Sequence, residues 1–259
     1  MTRSSPRLAV QLAIRLLRGP LVLALAAAAC ATPTVLSSYQ RSQVELRYKG
    51  QPRELKSSMY VAPFFRDASR RLLSLDPPGE VELLVTPEGK PIPPGDALEV
   101  LPAGTRVTVL DVAFPTRWST LTRPLMTPRD RPWLELAVEG RPTSPAYVIP
   151  LRPDVKSDDD VAAELDKVLS KEDVAARVKA LPPPDQLAVR TKQLAVGLST
   201  KALELAFGTP ALRKIYGQGS SVAEDWTWKS DAGVVRSAHV KDGQVVSVEL
   251  PPAKVAASK

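Results

Sequence analysis

Two side chains with reactive chemistry occur once each in this chain: the thiol of Cys30 and the imidazole of His239. A single thiol forms no internal disulfide or thiolate metal site, and a single histidine lacks the second ligand or nucleophile that metal or triad chemistry needs. The sequence also lacks a His-Glu-x-x-His motif, a Gly-x-Ser-x-Gly elbow, a phosphate loop and a dinucleotide fingerprint. A carboxylate pair, whose members need not be neighbours in sequence, is left open. We therefore predict a non-enzyme without metal or cofactor.

Cys30 stands in a context that predicts export and modification of its thiol. Four arginines and no acid precede an apolar run over residues 20–29, which ends in alanines directly before the cysteine. This is the layout of a secretory signal peptide. The run is half of the roughly 20 apolar residues that a membrane span requires. We therefore assign residues 1–29 to a cleaved signal.

The junction before Cys30 resembles the lipobox of bacterial lipoproteins, in which small residues precede a cysteine that is acylated and becomes the mature N-terminus. The family usually has leucine three residues before the cysteine, where this chain has Ala27, and Leu25 stands two positions earlier. The resemblance implies a membrane anchor of acyl chains such as palmitate on Cys30. Because Ala31 is not acidic, it also implies sorting to the outer membrane, facing the periplasm. The alternative is ordinary cleavage after Ala29, which would leave a soluble secreted protein.

The charge of the mature chain is modest. The full sequence has 35 Lys and Arg against 28 Asp and Glu, but the signal holds four of the arginines, so 31 basic residues remain against 28 acidic ones. A net charge of +3 does not indicate nucleic-acid binding. Proline is frequent, 26 of 259 residues, which favours many short connections.

Residues 30–57 are polar and mixed, and we predict a tether there, with a short strand where Val44, Leu46 and Tyr48 alternate. Residues 58–153 are predicted to form a small all-β domain, a barrel or a sandwich. It has short β-branched and aromatic runs separated by Pro or Gly, at residues 59–65, 81–85, 98–101, 106–114, 133–138 and 146–149.

Part of this domain resembles bacterial SH3-like domains. A turn of the type Pro-x-Gly-Thr at Pro102 precedes the long run 106–114, and a tryptophan run at Trp133 and a closing run at Ala146 follow in that order. The family has a short loop where this chain inserts residues 115–131. The insertion carries four arginines, at Arg117, Arg123, Arg129 and Arg131. They either present a basic loop to lipid head groups or cell-wall polymer, or pack by their stems in a solvated loop.

Residues 154–196 change to a helical period, which predicts a helical connector. Ser157 with Asp160, and Ser170 with Asp173, have the spacing of capping boxes ahead of apolar positions. The acidic triplet at Asp158 is expected to be a charged first helical turn rather than a metal site. A third helix is predicted from Asp185 to a break at Gly197.

In residues 197–250 a capped helix ends in Gly208-Thr-Pro210, a strand holds Trp226-Thr-Trp228, and Asp242-Gly243 forms a hairpin turn between apolar runs. In this order, these motifs resemble the SmpA/OmlA family, that of the lipoprotein BamE in outer-membrane β-barrel assembly. A tail, residues 251–259, follows. The resemblance implies a helix packed on an antiparallel sheet. Trp226 and Trp228 share one strand face, where they either roof the core or form an exposed patch for a partner. His239 is expected to be a surface or half-buried strand residue.

The fold class is therefore α+β, with a β domain, a helical connector and a BamE-like module. The function that this implies is a non-catalytic, membrane-anchored envelope lipoprotein that acts as a protein-interaction or scaffold component with an envelope protein partner. The alternatives are a binder of anionic cell-wall polymer or glycan through the SH3-like domain, and an inhibitor of a periplasmic enzyme.

Overall fold

The computed structural model describes residues 36–217 and 222–251. Its elements fall into an eight-stranded sheet, a four-stranded antiparallel sheet and helices that lie between and around them. The α+β class predicted from the sequence is confirmed. In chain order the helices and strands are α1 (Ser38–Tyr48), β1 (Pro52–Leu55), β2 (Met59–Phe64), β3 (Asp67–Ser74), β4 (Glu99–Leu101), β5 (Arg106–Ala113), α2 (Arg117–Thr122), β6 (Trp133–Val138), β7 (Ala146–Pro150), α3 (Asp158–Val168), β8 (Leu169–Ser170), α4 (Val174–Lys179), α5 (Pro183–Thr191), α6 (Thr200–Phe207), β9 (Leu212–Tyr216), β10 (Ala223–Lys229), β11 (Val235–Lys241) and β12 (Gln244–Glu249).

The eight-stranded sheet curls back on itself. Its order is β4-β2-β3-β7-β6-β5-β1-β8, and only the β3–β7 pair is parallel. The pairing of β1 with β5 continues into the pairing of β2 with β4 without a change of register. Pro52 pairs with Thr108 and Met59 pairs with Leu101, so seven residues forward along one side correspond to seven residues back along the other. They are two halves of one antiparallel ladder, bent between residues 55 and 59. A path through β2, β3, β7, β6 and β5 therefore returns to β1, which is the start of the same bent strand.

The inside of this curled sheet is the main core. It takes side chains from strands all around the path and from α1 and α3, which pack against it. Val44 and Tyr48 of α1 and Val161 and Leu165 of α3 are buried there. The strand residues buried in this core include Val61, Leu73, Leu101, Val109, Leu136 and Ile149.

The N-terminal part of the described chain differs from its prediction as a tether. Residues 38–48 are helical, and β1 lies within residues 30–57 as well. Val44 and Tyr48 are buried while Leu46 is exposed, which is the i, i+4 spacing of a helix rather than the alternation of a strand. Ser37 caps the helix and forms a capping box with Gln40. The first domain therefore begins at or before Leu36, which is itself buried in the core.

Several other elements of the β domain correct the sequence prediction. Residues 81–85 form no strand; a 3-10 turn at Pro78–Glu80 precedes them, and Val85 makes an isolated bridge to Pro91. Strand β3 was not predicted, although it pairs with both β2 and β7. The runs at 98–101, 106–114, 133–138 and 146–149 are confirmed as β4 to β7.

Of the two capping boxes predicted in the connector, the one at Ser157 is confirmed. Ser157 caps α3, and the Asp160 carboxylate accepts hydrogen bonds from the backbone of Lys156 and Ser157, which lower its pKa. The capping box at Ser170 is wrong, because Ser170 lies in β8 and Asp173 itself caps α4 by accepting from the Ala176 N–H. The prolines at 182–184 do not simply stop a helix, because Pro183 starts α5, a position where proline costs no backbone hydrogen bond. Helix α5 ends at Thr191, earlier than predicted.

The C-terminal unit packs α6 on the four-stranded sheet β12-β11-β10-β9. Leu203 of α6 joins Trp226, Val240 and Val245 in one buried cluster. The hairpin between β11 and β12 turns at Asp242 and Gly243, both with positive φ, as the Asp-Gly signal predicts. Strand β9, at one edge, was not predicted.

Candidate functional site

Cys30, the predicted acylation site, lies outside the described residues. The other predicted site residues fall into two groups: the tryptophans of β10 and the arginines of the insertion. The structure places these groups on different units and does not bring them together.

Both tryptophans of β10 belong to the core beneath α6. Trp226 is 1% exposed and its indole N–H donates to Glu224 at 2.5 Å. Trp228 is half-buried, packs beside Phe207 with ring centroids 5.6 Å apart, and donates to the carbonyl of Gly208 at 3.0 Å. A partner cannot contact Trp226 directly. In the structure both tryptophans pack over the core, and the interpretation as an exposed aromatic patch is wrong for Trp226.

Arg123 organises the insertion from within. Only 8% of it is exposed, and its guanidinium lies 3.9 Å from the ring centroid of Trp133. It donates to the carbonyls of Ala113, Arg129 and Arg131 at 2.7, 3.0 and 2.8 Å. Burial lowers its pKa to about 10. Arg123 thus joins the start and the end of the insertion and is not available to an anionic partner.

The other three arginines of the insertion differ in their exposure. Arg129 is half-buried and donates to the Thr120 carbonyl at 3.1 Å, which ties α2 to the returning chain. Arg131 is also half-buried, and Arg117 is exposed at the start of α2. The basic loop that we considered is therefore mostly internal scaffolding, with Arg117 as its exposed cation.

The insertion instead exposes apolar side chains, which the sequence analysis missed. Trp118 is 75% exposed, Leu121 66% and Leu125 76%. We call these three residues the apolar tip. The spacing of Trp118 and Leu121 places them on one side of α2, and attention to large apolar residues between the arginines could have found them.

Strand β9 is the second exposed feature that the sequence analysis missed. It pairs on one side with β10 and ends the sheet on the other, and all five of its residues are exposed. Ile215 and Leu212 are prominent among them. At the opposite edge, residues 197–199 cover β12 through Gly197 N to Val245 O and Val245 N to Leu198 O, both 2.8 Å. The neighbouring β-branched and aromatic residues Ile215 and Tyr216 were a usable signal for a strand.

His239 lies on the outer face of the same sheet, half-buried in β11 as expected. Its Nδ1 is 2.6 Å from Asp225 on the neighbouring strand. Hydrogen bonds from His239 and then Tyr216 lower the pKa of Asp225, and the bond to Asp225 raises the pKa of Tyr216. The pair links adjacent strands on an open face.

A cavity of 210 Å³ lies where the β domain meets the C-terminal unit, and Lys192 closes its floor. The ammonium donates to the carbonyls of Ser58 at 2.8 Å and Ala206 at 2.6 Å, so it joins the two units. Ser58, itself fully buried, adds a bond from its hydroxyl to the Val189 carbonyl at 2.6 Å. Burial lowers the pKa of Lys192 to about 7; nearby Asp76 opposes this shift and Arg236 adds to it.

We expect the Lys192→Met variant to lose a pH dependence of stability. Above pH 7 the native amine is largely neutral, whereas the unfolded amine, with an ordinary pKa of 10.5, stays protonated. The unfolded state then binds more protons, so this group makes the free energy of unfolding rise with pH between 7 and 10.5. The contribution approaches about 1.4 kcal/mol per pH unit at most. Urea denaturation from pH 6 to 9.5 should show the two proteins diverging; parallel curves would contradict the assignment.

Within residues 36–217 and 222–251, no helix has the length and apolar character to cross a bilayer. The same ranges contain no group of three or more His, Cys, Asp or Glu arranged to hold a metal ion. Comparison of the chain with protein-family models, with curated proteins and with solved structures gave no match.

Proposed function

We propose that this protein is a non-catalytic envelope lipoprotein, anchored through acylated Cys30, that binds an envelope protein partner through its C-terminal unit. The anchor rests on the signal and lipobox pattern before Cys30. The binding role rests on the free edge of β9. The finer fold assignments, SH3-like for the β domain and BamE-like for the C-terminal unit, belong to the same proposal.

Among the described residues, no strand pairs with the outer edge of β9, and this edge is the observation that carries the binding role. An edge strand presents unpaired backbone N–H and C=O groups, and an extended segment of another protein can add to such an edge as a further strand. Arg213 is held by Glu224 at 2.6 and 2.8 Å, while Lys214 is exposed in the middle of the strand. Exposed Leu212 and Ile215 provide apolar contacts to either face of an added strand.

The helix-on-sheet arrangement supports the BamE-like assignment. The resemblance implied a glycine-terminated helix, a Trp-x-Trp strand and a closing hairpin, and α6, β10 and the β11–β12 hairpin have that order. For the β domain, the bent ladder of β1–β2 with β4–β5 makes a curled sheet of the kind that an SH3-like domain would have. An assembly role would follow only from the partner's identity.

The anchor is tested by the chemistry of Cys30. We expect the N-terminal peptide of the mature protein to begin at Cys30 and to carry acyl chains in its mass spectrum. The Cys30→Ser variant should leave the membrane fraction in a sucrose-gradient separation of envelopes. An unmodified cysteine, or a Cys30→Ser protein that stays with membranes to the same extent, would overturn the lipoprotein assignment.

The partner surface is tested by a photo-cross-linking amino acid at position 215 in intact envelopes. We expect a covalent adduct with one envelope protein from position 215 and none from position 187, since Leu187 is similarly exposed but lies on α5. Ile215→Lys should remove capture, because it replaces an apolar contact of the added strand with a charge and places a second exposed lysine directly beside Lys214. Equal adducts at both positions would contradict the proposal.

The adduct also separates the alternatives. Barrel-assembly components would give the BamE-like resemblance a function, whereas a soluble periplasmic enzyme bound one-to-one would indicate an inhibitor. The cell-wall alternative rests on the SH3-like resemblance and on the four arginines of the insertion, and two of these, Arg123 and Arg129, direct their guanidinium groups to backbone carbonyls in or next to the insertion. It therefore has the weaker support.

A further inference from the structure

The five large apolar side chains that are at least 66% exposed lie on only two segments of the described chain. Tyr39 and Leu46 are on α1, and the other three are the apolar tip: Trp118, Leu121 and Leu125. Helix α1 packs against β5, the strand from which the insertion leaves. The most exposed of the large apolar side chains thus lie on a helix that packs against β5 and on the insertion that follows β5.

The tip is held out by its base rather than left loose. Arg123 and Arg129 fix the two sides of the insertion through backbone carbonyls, and the Trp133 indole donates to the Pro128 carbonyl at 2.9 Å. Thr116 caps α2 and forms a capping box with Ser119. Because the base is ordered, the tip cannot fold back to cover its own apolar surface without breaking these bonds.

The distance to Cys30 decides what lies opposite the tip. Leu36 is buried in the core, so only residues 31–35 separate the body from the anchor. Six Cα steps of at most about 3.6 Å span about 22 Å, so Leu36 lies within about 22 Å of the anchored residue. If Cys30 is acylated, as the proposed function requires, the β domain is therefore held close to the bilayer surface.

We infer that the apolar tip inserts into the interface of the bilayer that holds Cys30. Tryptophan favours this zone, since its ring is apolar and its N–H is polar, and leucines flanking it enter the acyl boundary. Exposed Arg117, next to Trp118, then lies at the level of anionic head groups. The tip thus fixes the orientation of the protein on the membrane, and the acyl chains supply its attachment.

Trp118 is a usable reporter of this contact because it is the most exposed of the four tryptophans: Trp133 and Trp226 are 1% exposed, and Trp228 is half-buried. The full lipidated protein would be reconstituted into vesicles containing phosphatidylglycerol, with and without lipids brominated near the head group. The Trp118 signal is the difference in emission between the protein and its Trp118→Phe variant. We expect brominated lipid to reduce this signal at least twofold, and the Leu121→Asp, Leu125→Asp double variant to abolish the reduction.

A second readout separates this inference from the proposal on which it rests. The mass of the N-terminal peptide, recorded on the same sample, reports acylation of Cys30. An acylated protein whose Trp118 emission does not respond to brominated lipid would overturn the inference and leave the lipoprotein assignment standing. An unacylated Cys30 would overturn the assignment itself. Circular dichroism of the double variant checks that its fold is kept, since both leucines are exposed.

Discussion

Replacing Trp226 by alanine should unfold the C-terminal unit before the rest of the molecule. The side chain is buried among Leu203, Ala238 and Val240. Its removal leaves a cavity and takes one of two donors from the Glu224 Oε2, which keeps its hydrogen bond from Arg213. Tryptophan-to-alanine changes in cores cost about 3–5 kcal/mol, which is a large part of the stability of a small domain.

The expected loss is measured by urea denaturation followed by circular dichroism, with amide hydrogen exchange to locate it. Protection should fall first in α6 and in β10 to β12, while β5 and β6 of the other core keep theirs. Trp118→Ala is the matched control, because the same residue type is exposed there, and its effect should stay within about 0.5 kcal/mol. A loss below about 1 kcal/mol for Trp226→Ala would contradict its role in the core. Trp226 would then again be a candidate for contact with a partner.

This result also changes how a partner would be sought. A loss of capture on truncation of either tryptophan would reflect unfolding of the unit, since Trp228 packs on Phe207 and bonds to Gly208. Variants on exposed β9 disturb the fold less and report on binding more directly. The edge strand, rather than the aromatic pair, is therefore the surface on which the proposed function should be judged.

Local signals in the sequence predicted α3, α6 and the β11–β12 hairpin. The caps at Ser157 and Ser199 and the Asp242-Gly243 turn act through neighbouring backbone, so their effect does not depend on distant residues. The period-2 runs at β5 and β6 are similarly local. These features fix where helices and strands start and stop, but not what covers them.

The errors arose where tertiary contacts decide the structure. Strand β3 carries Asp67, Arg70 and Arg71, which made it look like a loop. In the sheet, Arg70 is paired with Asp67 at 2.8 Å and with Glu135 at 3.1 Å, so its charge is accommodated by a strand distant in sequence. The sequence predicts a tether in place of helix α1 because the segment has few apolar residues. Its two buried residues, Val44 and Tyr48, stabilise the helix only by packing into the main core of the curled sheet.

The arginines of the insertion also show that local sequence does not determine tertiary contacts. Four arginines in one loop indicate a basic surface when only composition is considered. Whether an arginine faces solvent or its own backbone depends on how the loop closes, and here Trp133 offers an aromatic face on which Arg123 can lie. Once the arginines turn inward, the apolar residues between them are left outside.

Exchange of Arg123 for lysine should therefore be nearly as harmful as its exchange for methionine. If the residue served an anionic partner, a lysine would keep the charge and most of the effect. In the structure, Arg123 bonds to the carbonyls of Ala113, Arg129 and Arg131 at once, and a planar guanidinium can do so while it stacks on an indole. An ammonium group lacks that geometry.

We expect both variants to lose about 2–4 kcal/mol of unfolding free energy, since carbonyls left buried without donors cost about 1–3 kcal/mol each. The matched control is Arg117→Ala, at an exposed position of the same insertion, which should change stability by no more than about 0.5 kcal/mol. Thermal or urea unfolding of the wild type, Arg123→Lys, Arg123→Met and Arg117→Ala measures these differences in stability. Wild-type stability in Arg123→Lys would show that charge alone suffices. The insertion would then lose its rigid base, and with it the physical reason why Trp118 and its two leucines stay exposed.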